Sequence, residues 1–145
     1  MAVQADLLEL FTGGCFCGSV RYQVAGKPLA VAVCHCKDCQ RSAGAPMVSW
    51  SLYAQSSLVI IKGKPATFSK SGAAIRSFCP VCGSGLFYTN SLSIPGRVDV
   101  QSSTFDCPEA FPPQAQVQVA ERLDWVNHLL ELPGYERYPG PDKIP

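Results

Sequence analysis

The chain has 145 residues, 47% of them apolar, which suits one compact core and excludes global disorder. Twelve Lys and Arg against eleven Asp and Glu leave a net charge of +1, without the basic excess or basic stripe of a phosphate-backbone binder. Nucleic acid is therefore set aside as a partner.

In chain order, the opening MAVQADLLELF has no basic start, no continuous apolar stretch and no small-residue cleavage site, so no secretory signal is expected. Gly13-Gly14 separates this leader from the first cysteine pair. Val20, Tyr22 and Val24 alternate with Arg21 and Gln23, the pattern of a half-buried strand. After the Gly26-Lys27-Pro28 punctuation, Leu29 to Val33 reads as a strand delivering the chain to Cys34. Cys34 to Pro46 is turn-like, with room for a single helical turn after Cys39. Met47 to Tyr53 and Ser57 to Ile61 read as strands, the second closed by Gly63-Lys64-Pro65. Ala74 to Phe78 and Leu86 to Thr89 flank Cys79-Pro80-Val81-Cys82-Gly83 as two strands flank a hairpin tip. Arg97 to Thr104 is a further strand, and Phe105 to Gln114, with three prolines, a loop. Val117 and Val119 suit an edge strand, Leu123 to Leu130 a short helix, and the proline-rich tail from Pro133 a surface segment.

These elements predict one mainly β domain over 1–145 with little helix, a core of about 13–135 and peripheral ends. The apolar runs at Leu29–Val33 and Leu58–Ile61 are far too short to span a bilayer, and no lipidation signal ends the chain. A cytoplasmic protein without membrane contact is expected.

Eight cysteines in a reducing compartment point to metal or redox chemistry rather than disulfides. Seven fall into three groups: Cys15 with Cys17; Cys34, Cys36 and Cys39; Cys79 with Cys82. Cys79-x-x-Cys82-Gly83 matches a knuckle turn that aims two thiolates at one ion. Cys15 and Cys17, two apart on an extended segment, would face the same side, and Gly18 echoes Gly83. Together the pairs make a closed four-thiolate site, a usual form of structural zinc. The trio offers three sulfurs and leaves a fourth position for water or substrate, as catalytic zinc does. Its alternatives are a second structural zinc completed by His35, His128 or Cys107, and a redox role for Cys36 and Cys39. Cys107, alone in Phe-Asp-Cys-Pro, is given no function. Trp50, Trp125 and the tyrosines read as core or pocket wall.

Gly14-Cys15-Phe-Cys17-Gly18-Ser-Val-Arg-Tyr, Cys34-His-Cys36-Lys-Asp-Cys39-Gln40-Arg41-Ser-Ala-Gly44 and Phe78-Cys79-Pro-Val-Cys82-Gly83-Ser resemble the glutathione-dependent formaldehyde-activating enzyme family in order and spacing. The resemblance implies a β-tent (Mss4-like) fold of antiparallel sheets around two zinc ions. It implies structural zinc on Cys15, Cys17, Cys79 and Cys82, and catalytic zinc on Cys34, Cys36 and Cys39. The implied activity is that of a carbon–sulfur lyase, the synthase direction joining glutathione and formaldehyde as S-(hydroxymethyl)glutathione. The implied partner is a small thiol or aldehyde, glutathione among them. Arg41 is a candidate to hold a substrate carboxylate. The competing reading is a non-catalytic zinc scaffold or protein-interaction module on the same fold.

Overall fold

The computed structural model describes residues 9–143. Among them the fold is mainly β, in two sheets, with one α-helix and several short 3₁₀ turns. The smaller sheet is antiparallel: β1 (Leu10–Gly14), β2 (Arg21–Ala25) and β5 (Leu58–Lys62), with β2 in the centre. The larger combines β3 (Ala30–Cys34), β4 (Val48–Ala54), β6 (Ala66–Ser69), β7 (Ala74–Phe78), β8 (Gly85–Asn90), β9 (Arg97–Gln101) and β10 (Ala115–Val117). Its order is β10-β3-β4-β9-β8-β7-β6, antiparallel except where β10 lies parallel to β3.

The alternation seen in the sequence around β2 does what period-2 patterning requires. Val20, Tyr22 and Val24 are buried while Arg21 and Gln23 are only partly covered. Tyr22 packs edge-on against Phe87 and Phe105, at centroid distances of 5.1 and 5.6 Å, and Phe105 continues to Phe111 at 5.3 Å. Each such pair contributes roughly 0.5–1.5 kcal/mol beyond area burial. The phenol keeps a partner in the core: Thr104 Oγ1 donates to the Gln101 carbonyl at 2.7 Å, so Tyr22 donates to Thr104 at 2.8 Å. On the partly exposed face Arg21 grips Asp106 bidentately, at 2.8 and 2.5 Å, and Thr12 adds a third hydrogen bond. These contacts draw the Asp106 carboxyl down to about 2, the Arg21 hydrogen bonds first among them.

Several expectations change in detail. β1 is a strand that the sequence does not predict; it includes Gly13-Gly14, read as a separator, because the absent side chain at Gly13 makes room for the Tyr22 ring. β6 was not expected; it is a short, exposed edge strand. β9 ends at Gln101, and Ser102–Thr104 form a 3₁₀ turn. The loop after Phe105 contains another at Pro108–Ala110. The helical segment near the C-terminus is 3₁₀, over Asp124–Glu131. The edge strand β10 includes Val117 but not Val119, and the tail is almost wholly exposed. The leader residues 1–8 lie outside the described residues. No helix among those described is long and apolar enough to cross a membrane.

The β5–β6 turn at Gly63 has φ +72°, and a Cβ there would strike the Ser19 carbonyl. Gly63→Ala therefore combines a left-handed backbone with a backbone clash beside the first cysteine loop. We expect a loss on the order of 3 kcal/mol, read as a lower urea midpoint with an unchanged m-value.

Candidate metal centres and the cavity beside one of them

The first cysteine pair is not extended. It sits in a turn closed by Cys15 N–H to Val20 O (3.0 Å) and Gly18 N–H to Cys15 O (3.1 Å). The second pair repeats this design, with Cys79 N–H to Ser84 O and Gly83 N–H to Cys79 O, both 2.9 Å. Gly18 and Gly83 sit at φ +75° and +77°, the conformation a knuckle needs after its last ligand. The two loops brace each other through Phe16 N–H to Ser84 Oγ at 3.0 Å.

This pairing brings the four thiols together, all within 4.8 Å of one another. Cys15 and Cys17 sulfurs are 3.6 Å apart, and Cys17 and Cys79 sulfurs 3.8 Å. Tetrahedral sites with metal–sulfur bonds of about 2.3 Å have edges of about 3.8 Å, so the residues fit one ion. No disulfide competes, since all eight cysteines are free. The four thiols are not alike: the Ser84 hydroxyl, then the Ser84 and Cys17 backbone N–H groups, draw Cys82 down to about 5, whereas Cys79, despite the Cys82 backbone N–H, is pushed up to about 11 by burial and its neighbouring thiols. Cys15 and Cys79 also belong to the main apolar core with Tyr22 and Leu86. The quartet is thus continuous with the interior of the fold.

The trio is built differently. Cys34 ends β3, Cys36 caps α1 (Lys37–Ala43), and Cys39 lies in the first turn of α1. Cys36 Sγ accepts the Cys39 N–H at 3.3 Å, and Gly44 closes the helix at φ 61°. The helix thus starts two residues before Cys39, not after it. Gln40 braces the turn, donating to the carbonyls of His35 (2.6 Å) and Glu121 (3.1 Å). His35 points away from the trio and donates from Nε2 to Gln116 at 2.9 Å. His128 is exposed beside Glu131, and Cys107 is exposed. Among the described residues, only Cys34, Cys36 and Cys39 form this second ligand set. Burial pushes the Cys34 thiol up to about 12, and Cys39 moves in the same direction for the same reason. A metal ion would have to displace those protons, as thiolate ligation requires.

The trio forms a small cluster of its own with Val48 and Trp50. It opens onto a cavity of about 430 Å³ whose walls include Trp50, Leu52, Arg76, Tyr88, Ile94 and Asp99. Arg41 is exposed on α1 and does not line this cavity; the arginine that does is Arg76. Its guanidinium lies 4.9 Å from the Tyr88 ring centre and Nη2 is 3.8 Å from Cys39 Sγ. Nothing in the sequence singled out Arg76 or Asp99, although both lie in strands that the sequence did predict.

Burial pushes the Asp99 carboxyl from an ordinary value near 3.8 up to about 6. The folded state then holds more protons than the unfolded one between those values, so stability falls as pH rises through that window. Asp99→Asn should raise the urea midpoint near pH 7.5 and change it less near pH 5.

A family model for glutathione-dependent formaldehyde-activating enzyme matches residues 10–121. Among curated proteins no match reaches significance. Among solved structures, the fold is similar to that of a Rhodobacter sphaeroides protein determined as a structural-genomics target, with TM-score 0.60 and 20% identity. That likeness covers 73% of this chain and 99% of the other. The family match spans more than three-quarters of the chain and includes both cysteine groups, and the protein belongs to the glutathione-dependent formaldehyde-activating enzyme family.

Proposed function

We propose that the protein is a zinc-dependent enzyme of the carbon–sulfur lyase type, making or breaking the adduct of a small thiol with an aldehyde. The observation that carries this reading is a ligand set of three cysteines at the wall of a cavity, beside a separate set of four in the core. Softness of seven sulfur donors favours zinc at both. Zinc on the trio would supply a fourth position able to acidify a bound thiol or polarise a carbonyl. Cys34, Cys36 and Cys39 would hold that ion, Trp50 and Tyr88 would give the reacting groups an aromatic wall, and Arg76 offers a cation beside it. In the joining direction the thiol loses its proton, its sulfur bonds to the carbonyl carbon, and the oxygen takes up a proton. Cleavage is the reverse. We assign the two-sheet arrangement to the β-tent type and place the protein in the cytoplasm, where free cysteines persist.

Glutathione and formaldehyde are the first pair to test. Exchange NMR on the zinc-loaded protein should show adduct formation faster than in buffer, and Cys36→Ala should remove the acceleration. No acceleration with glutathione or with any small thiol would refute the lyase reading and leave the scaffold reading standing.

A further inference from the structure

The register of the larger sheet sets five residues in one row across five strands. Arg76 pairs with Tyr88, Tyr88 with Asp99, Asp99 with Leu52, and Leu52 with Ala30. Directly paired residues share a sheet face, and all five line the cavity beside the trio. Strands lie about 4.8 Å apart, so the backbones of Arg76 and Asp99 are separated by about 10 Å, with Tyr88 between them.

The row therefore carries a cation and an anion on either side of an aromatic ring. Neither is paired with a charge of opposite sign, although Arg76 stacks on Tyr88 and reaches Cys39 Sγ. Among the described residues Arg76 has no carboxylate within ion-pair distance, and Asp99 has neither an ion pair nor a hydrogen-bond donor. Asp38, the other carboxylate at the cavity, faces Lys70 at 3.6 Å. Partly buried charges without a counter-charge are costly, and a ligand bearing the complementary charges removes that cost. The Asp99 carboxyl, although raised to about 6, is still ionised at neutral pH and able to receive an ammonium group. Arg76 is the charge nearer the trio, at 3.8 Å from Cys39 Sγ.

We propose that the cavity selects a small zwitterionic thiol of the α-amino-acid type, its carboxylate on Arg76, its ammonium on Asp99 and its sulfur toward Cys34, Cys36 and Cys39. This rests on the thiol reading of the site and narrows it to a substrate class. The two charged groups of an α-amino acid lie a few ångströms apart, so such a ligand seated over the Tyr88 ring would be flanked by Arg76 on one neighbouring strand and Asp99 on the other.

The test is titration of the cobalt-substituted protein, with the change in the sulfur-to-cobalt charge-transfer band on adding thiol as readout and metal content checked at the end point. The probes are L-cysteine, cysteamine and 3-mercaptopropionate. Cysteine should bind about tenfold or more tighter than either single-charge thiol. Cysteamine also controls for amine ligation of the metal. Asp99→Asn should abolish the advantage of cysteine over 3-mercaptopropionate while leaving affinity for the latter within about twofold. Arg76→Gln should abolish its advantage over cysteamine. Cysteine binding no tighter than the better single-charge thiol, or an advantage unchanged in both variants, overturns this inference alone. If no thiol changes the band, the thiol reading falls and this one with it.

Discussion

Cys79→Ala should give a chain that does not fold. The Cys79 side chain is fully buried in the main core, and its sulfur is one of four held within 4.8 Å. Its removal deletes a ligand and opens a void among Cys15, Tyr22 and Leu86 at once. Structural zinc supplies an apparent binding free energy of about 10–16 kcal/mol. A domain's whole net stability is about 5–15 kcal/mol. Loss of most of the metal term therefore exceeds what the apolar core retains alone. The expected result is a collapsed near-ultraviolet circular dichroism signal and poor amide dispersion, not restored by excess zinc.

Cys36→Ala should behave in the opposite way. Cys36 is only partly buried, sits in the smaller cluster, and contributes to stability mainly as the cap of α1. Loss of a cap costs about 1 kcal/mol, which for a domain of this size lowers Tm by a few degrees. The variant should be folded and hold one metal ion per chain where the parent holds two. Its thiol–aldehyde activity should fall by at least about a hundredfold, since losing even an outer partner of a ligand costs 10–100-fold. Metal analysis alongside circular dichroism separates the two variants. Equal unfolding of both would show that the division of the cysteines into a quartet within the core and a trio at a cavity is wrong.

That division was legible in the sequence because thiolate ligation from one loop demands short, repeated spacings that survive in the linear order. Strands with a clean period of two, such as β2, were legible for the same local reason. β1 was not, because Gly13-Gly14 reads as a breaker until Tyr22 is seen to need the space. The start of α1 at Lys37 depends on Cys36 acting as a cap, a role that its neighbours in sequence do not announce. Arg76 and Asp99 were beyond reach. They meet at one cavity through the pairing of β7, β8 and β9, and no local pattern states a cross-strand register. Arg41, chosen for its place beside the trio in sequence, is exposed on the short helix and leaves that cavity to Arg76.

The division of seven sulfurs between two metal ions is tested most directly by a crystal structure of the purified protein with anomalous data collected at the zinc edge. Two peaks per chain are expected. One should be enclosed by Cys15, Cys17, Cys79 and Cys82, and the other bound by Cys34, Cys36 and Cys39 with water or a small molecule as fourth ligand. A single peak, or a protein side chain completing the trio, would contradict that division.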